Sequence, residues 1–250
     1  MKQLRKYLLF TMSFGACLTW VLSGCDLPPQ SNPPQTDTVT KAKPRLIARP
    51  AVIEIIAHDK VKLDPDALYD IEKSVDGDAD DIKQWKNHAI MYLHIPNPED
   101  ALKEIKKAYP DDSIKYYEKP FYAFNRRMCA DTVSSKQWEN IVMTANLVND
   151  PKLQREYLNY HTTQFKNWPE VAKGFCNANF QQLLVFKNGR QLMLVISIPK
   201  GESLDKLNSK TTENNPRVNE WNSLMKKYQE GIYGAKPGEV WVEFKPVHTN

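Results

Sequence analysis

Lys+Arg exceed Asp+Glu by 34 to 30 in this 250-residue chain, and 41% of its residues are hydrophobic. Lys2, Arg5 and Lys6 supply most of the excess; without residues 1–24 the balance is 31 to 30, which excludes the basic footprint that nucleic-acid binding requires. No phosphate-binding glycine loop, Gly-x-Ser-x-Gly elbow or Cys/His set at metal-ligand spacing occurs, so neither a cofactor nor a metal is expected.

In chain order, Lys2, Arg5 and Lys6 precede an apolar run from Tyr7 to Leu22 that ends in Leu22-Ser23-Gly24-Cys25. This is the layout of a secretory signal. Leu-Ser-Gly-Cys resembles the lipobox of bacterial lipoproteins, which implies that Cys25 becomes the lipidated first residue, anchoring the protein to a membrane of the cell envelope and facing outside the cytoplasm. Cys17 leaves with the signal, so Cys129 and Cys176 remain, either as one disulfide or as free buried thiols. Residues 25–50 are polar and proline-rich without an amphipathic period, a tether between membrane and fold.

Two units are expected beyond it, at 51–128 and 129–250. The first opens with AVIEIIA at 51–57 as a strand and a helix near 64–73. The acidic VDGDADD at 75–81 lacks the terminal glutamate of a calcium loop and reads as a solvated turn. HAIMYLHI at 88–95 reads as a strand, PEDALKEIKKAY at 98–109 as a helix with Pro98 at its first position, and SIKYYEKPFYAF at 113–124 as a strand bulged or edged by Pro120. In the second unit NIVMTANLV at 140–148 is a strand, followed by a long helical stretch broken at Trp168-Pro169-Glu170. QLLVFKNGRQLMLVISI at 182–198 is a hairpin about Asn188-Gly189. NPRVNEWNSLMKKYQ at 215–229 is a helix with Val218, Trp221, Leu224, Met225 and Tyr228 on one face, and EVWVEF at 239–244 is a closing strand. The order β-α-β-β-α-β is that of an α+β, ferredoxin-like unit. Its two helices cover one sheet face and leave the other bare. Residues 51–128 are expected to supply the covering sheet, making an internal pseudo-dimer, because their last elements repeat the strand-helix-strand order.

The chemistry concentrates in REYLNYHTTQFKNWPEV, 155–171. As a helix it sets Tyr157 and His161 on one face. A histidine can give or take a proton near neutral pH, whereas a tyrosine donates a hydrogen bond. On these residues alone a surface histidine stacked on a core tyrosine is the favoured reading. Residues 138–248 resemble the L-rhamnose mutarotase family and its L-fucose-type relatives, in Tyr157-x-x-x-His161, Trp168-Pro169-Glu170, the hairpin strands, Asn219-Glu220-Trp221 with Met225, and the closing strand with Trp241.

The resemblance implies a dimeric α/β-barrel fold. It implies His161 as general acid and Tyr157 as a sugar contact in ring opening that needs no cofactor or metal. Trp168 and Trp221 are the implied aromatic wall. Where the family carries a tyrosine in the second strand, this chain reads Phe180-Gln181-Gln182-Leu183, so that contact is lost or replaced by an amide, Gln181; one of two adjacent tryptophans is Asn222. The expected function is interconversion of the anomers of a 6-deoxy-L-hexose such as L-rhamnose or L-fucose, by a membrane-tethered isomerase that is a monomeric pseudo-dimer or a homodimer. The alternative is a non-catalytic carbohydrate-binding or assembly lipoprotein on the same fold.

Overall fold

A computed structural model describes residues 47–58, 63–75 and 79–247. The signal, Cys25 and all of the tether before Ile47 lie outside the described residues. The first unit runs β1 (Arg49–Ile56), α1 (Pro65–Ser74), β2 (Ala79–Trp85), β3 (His88–Ile95), α2 (Pro98–Ala108) and β4 (Ser113–Tyr117). This is a complete βαββαβ unit of its own. Asp64 starts α1 by accepting a hydrogen bond from Asp66 N at 3.0 Å. Glu99 and Asp100 in the first turn of α2, with Lys106 and Lys107 in its last, complement the helix dipole.

β1 and β3 are apolar on both faces because both faces are covered. Ile53, Ile55, Met91 and Leu93 pack with Leu68 of α1 and Ala101 and Ile105 of α2, while Val52, Ile90 and Tyr92 point the other way. The acidic segment read as a turn runs into β2, which begins at Ala79. Ile82 is its buried apolar residue among those described, and the strand pairs with β3 from Ala79 to Trp85.

Beyond β4 the chain forms β5 (Tyr122–Asn125) and a short 3-10 turn, Arg126–Met128. The single strand expected at 113–124 is thus two. Pro120, with no N–H to give a ladder, lies in the break; β4 pairs with β1, and β5 pairs with the other unit. That second unit is β6 (Trp138–Leu147), α3 (Pro151–Asn167), α4 (Pro169–Asn177), β7 (Gln182–Asn188), β8 (Gln191–Pro199), α5 (Leu204–Thr212), α6 (Pro216–Met225), the two-residue β9 (Gln229–Glu230) and β10 (Val242–Pro246). Gly189, at φ +57°, takes the first of two loop positions between β7 and β8.

Among the described residues the strands form one sheet in the order β4-β1-β3-β2-β10-β6-β8-β7-β5, with β9 beside β6. Each unit contributes the same permutation: last strand, first, third, second. The last strand of each also reaches the second strand of the other: Lys245 and Pro246 of β10 lie opposite Gln84 and Lys83 of β2, and β5, continuing β4, lies along β7. Because β4 and β5 are joined by residues 118–121, the two ends of the sheet order are the same piece of chain, and the sheet curls round on itself. This is the pseudo-dimer expected from the sequence.

The curled interior is filled from both units, by Val52, Ile90, Tyr92 and Tyr117 against Val142, Leu184, Phe186, Met193, Val195 and Phe244. One carboxylate stands among them. Glu54 is fully buried and accepts from His88 Nδ1 (2.7 Å), Tyr117 OH (2.9 Å) and, across the units, Gln191 Nε2 (3.1 Å). Burial pushes its pKa up, but the His88 hydrogen bond and the charge of Lys115 outweigh that and hold it below the usual carboxylate range. Cys129 and Cys176 are bridged, tying the segment after β5 to α4.

Candidate active site

α3 carries the candidate pair, Tyr157 and His161. Asp150 caps it, accepting from Lys152 N (2.7 Å) and Leu153 N (3.2 Å), and Pro151 occupies the first helical position, where its missing N–H costs nothing. From that fixed start, Tyr157, His161 and Gln164 fall on the buried face. The helix ends at Trp168, which closes α3 by donating its backbone N–H to Gln164 O and opens α4 by accepting from Val171 N. Pro169 then starts α4, so Trp-Pro-Glu is a knee between two helices.

Between these helices and the outer face of β6, β7 and β8 lies a cavity of about 440 Å³, within the range of small-molecule sites. Its floor is aromatic and aliphatic, with Tyr122, Phe180, Val185, Ile196, Trp221 and Trp241 among its lining; its mouth is polar, with the exposed Asp205, Asn208, Asn222 and Lys226. In the first unit the equivalent space between helices and sheet is packed by Leu68, Ile53, Ile55, Met91 and Ile105.

His161 lies in an aromatic box: Tyr157 at 4.2 Å between ring centroids, Trp221 at 5.3 Å, Tyr122 at 5.4 Å and Phe121 at 5.7 Å. Its Nδ1 is 3.0 Å from Tyr157 O. A carbonyl can only accept, so Nδ1 carries the proton and Nε2 is the lone-pair nitrogen. Burial pulls the His161 pKa down to about 4, the Tyr157 carbonyl opposing in part, which makes the imidazole neutral near pH 7. Tyr157 is the converse case: burial pushes its hydroxyl up, slightly offset by the hydrogen bond from Gln229, so it keeps its proton. Gln229 Nε2 donates to Tyr157 OH at 3.2 Å and is itself oriented by Trp241 Nε1 on its Oε1 at 3.3 Å. With its oxygen accepting from Gln229, the Tyr157 O–H is left to donate.

Tyr157, His161 and Trp221 therefore share one cavity. Trp168 and Gln181 do not line it. The Trp168 ring lies behind Trp221, 5.6 Å away, under the Arg217 guanidinium at 3.9 Å, and so backs the wall instead of facing a ligand. Gln181 is buried with its amide already used: Oε1 accepts from Ser135 N (2.8 Å) and Ser134 Oγ (3.1 Å), and Nε2 donates to Asn179 O (2.8 Å) and Oδ1 (3.1 Å). It clamps the crossover before β6. Residue-type reasoning missed Gln164, Gln229 and Tyr122; only Gln164, one turn beyond His161, could have been found from helical spacing. Among the described residues no group of His, Cys, Asp and Glu could hold a metal, and no helix is long and apolar enough to cross a membrane.

The L-rhamnose mutarotase family profile matches residues 140–249. An L-fucose mutarotase of Xanthomonas campestris pv. campestris is 27% identical over 106 residues, 42% of this chain and 82% of that protein. A UPF0734 protein of Dictyostelium discoideum is 31% identical over 114 residues, 44% of this chain and 87% of that one. A solved structure from Fusobacterium nucleatum covers 81% of this chain and 93% of its own at 10% identity and TM-score 0.45, too loose a likeness to bear on the site.

Proposed function

The chain belongs, through residues 140–249, to the L-rhamnose mutarotase family, and we propose on that premise that it interconverts the anomers of a 6-deoxy-L-hexose such as L-rhamnose or L-fucose. The observation that carries the mechanism is His161: neutral, held by Nδ1 and lining the cavity beside a Tyr157 hydroxyl that keeps its proton. In this reading Nε2 takes the proton of the anomeric hydroxyl O1. As the C1–O5 bond breaks and C1=O1 forms, Nε2 gives that proton to O5. O1 and O5 share one carbon, so one imidazole nitrogen serves both. Rotation about C1–C2 presents the other carbonyl face. O5 then re-forms its bond to C1, and its proton returns through Nε2 to O1. His161 is a base first and an acid second, where the resemblance implied an acid only. Tyr157 steadies O1 by hydrogen bonding while charge develops there. Trp221 offers its ring to the sugar's C–H face.

Proton transfer of this kind contributes about 10²–10⁴-fold, ample for a reaction that also proceeds unaided. Freshly dissolved single-anomer L-rhamnose or L-fucose, followed by NMR with and without protein, tests the proposal. Acceleration that disappears in His161→Ala is expected; no acceleration, or acceleration indifferent to His161→Ala, ends the enzyme reading in favour of sugar binding alone.

The same proposal places the protein in the bacterial cell envelope, held by lipid on Cys25 after removal of residues 1–24. The Cys129–Cys176 bridge supports an oxidising compartment. Cys25→Ser is expected to move the protein from the detergent phase to the aqueous phase on phase separation; unchanged partitioning would count against the anchor.

A further inference from the structure

Gln164 is fully buried, and its side-chain amide has one protein partner: Tyr122 OH donates to Oε1 at 3.2 Å. Nε2, with almost no solvent contact, has none among the described residues. Buried N–H groups in folded proteins are nearly always satisfied, so an unpartnered donor on a side chain that lines a cavity points to a ligand. Gln164 lines the same cavity as His161 and lies three residues further along α3, about 4.5 Å along the helix axis at 1.5 Å per residue. That rise falls within the span of one monosaccharide ring.

Tyr122 belongs to the other unit. β5 brings it alongside β7, in register with Val185. Its ring stacks on Phe165 at 5.3 Å and meets His161 edge-on. Burial pushes its hydroxyl pKa up, so it remains a donor, and donation to Oε1 is what turns Nε2 to the unpaired position.

Resting on the mutarotase reading, we propose that Gln164 Nε2 is a sugar-binding donor for a second oxygen of the sugar that His161 engages, and that Tyr122 is its positioning residue. The added first unit then completes the site of the second. The ligand is a neutral polyol, because the donor is an uncharged amide and, among the described residues, the cation lining this cavity, Lys226, is exposed at the mouth.

The test uses Gln164→Met, Tyr122→Phe and the double variant of the full folded domain. Kd for L-rhamnose and L-fucose is measured by NMR titration, KM and kcat by anomeric exchange, and Tm by thermal melting. Gln164→Met is expected to raise Kd and KM about threefold to tenfold, the worth of one hydrogen bond. Tyr122→Phe should raise them less, and the double variant no more than Gln164→Met alone. Since the double variant removes both partners of a buried pair together with the orphan donor, its Tm should equal or exceed that of the native protein, which a merely structural role would not give. Unchanged Kd and KM in Gln164→Met, or losses that follow falling Tm across the set, overturn the inference. If the native protein binds sugar without accelerating exchange, the mutarotase reading falls while Kd still decides this one; if it binds neither sugar, both fall.

Discussion

His161 shows how one side chain's surroundings set its role. Four aromatic rings and a helix carbonyl replace water around it, and a charged imidazole has little there to stabilise it, so its pKa falls from 6.5 to about 4. In the unfolded chain the same group takes a proton near pH 6.5. Between those values the unfolded state binds more protons than the folded one, so stability rises with pH there. The contribution is fully present above pH 6.5, is lost as pH falls towards 4 and is constant below. A gap of that size corresponds to roughly 3 kcal/mol. Urea unfolding of the native protein and His161→Leu at several pH values isolates it: the native protein should lose stability relative to the variant from pH 6.5 to 4. Parallel curves would mean that His161 is not held neutral. Catalysed exchange, corrected for the unaided rate, should persist at pH 5, where a base of ordinary histidine pKa would be mostly protonated.

The elements that place this residue were partly visible in the chain. Tyr157 and His161 could be put on one face from their four-residue spacing, and the knee followed from Pro169, because both are properties of contiguous residues. Contacts made across the fold were not visible in the same way. Trp168 had the composition of a binding wall, but Arg217 and Trp221 take its faces. Gln181 looked like a free amide until Ser134 and Ser135, 47 and 46 residues away, used it. β2 escaped because Asp80, Asp81, Lys83 and Gln84 leave it no apolar period; its place comes from β3 on one side and β10 on the other. Only the last elements of the first unit announced the repeat, so its full βαββαβ order emerged with the fold.

At the scale of the molecule, closure of the sheet explains why two units occur in one chain. A single ferredoxin-like unit leaves one sheet face bare, and here the second unit's face carries Val142, Leu184, Phe186, Met193, Val195 and Phe244, covered by the first. At about 1.5–3 kcal/mol for each fully buried apolar side chain, uncovering these six would cost on the order of 9–18 kcal/mol, against a total stability of roughly 5–15 kcal/mol for a typical domain. The loss of β5 from β7 and of β2 from β10 adds unpaired strand edges, a known route to association. Residues 129–250 produced alone should therefore not persist as a folded monomer. They should aggregate, or pair with a second copy that supplies the missing sheet. The longer piece, 47–250, should elute as a monomer, because its own first unit already occupies that face. Light scattering coupled to size exclusion checks both. A folded, monomeric 129–250 would show that the cover is dispensable, and a dimeric 47–250 would show that the sheet does not close within one chain.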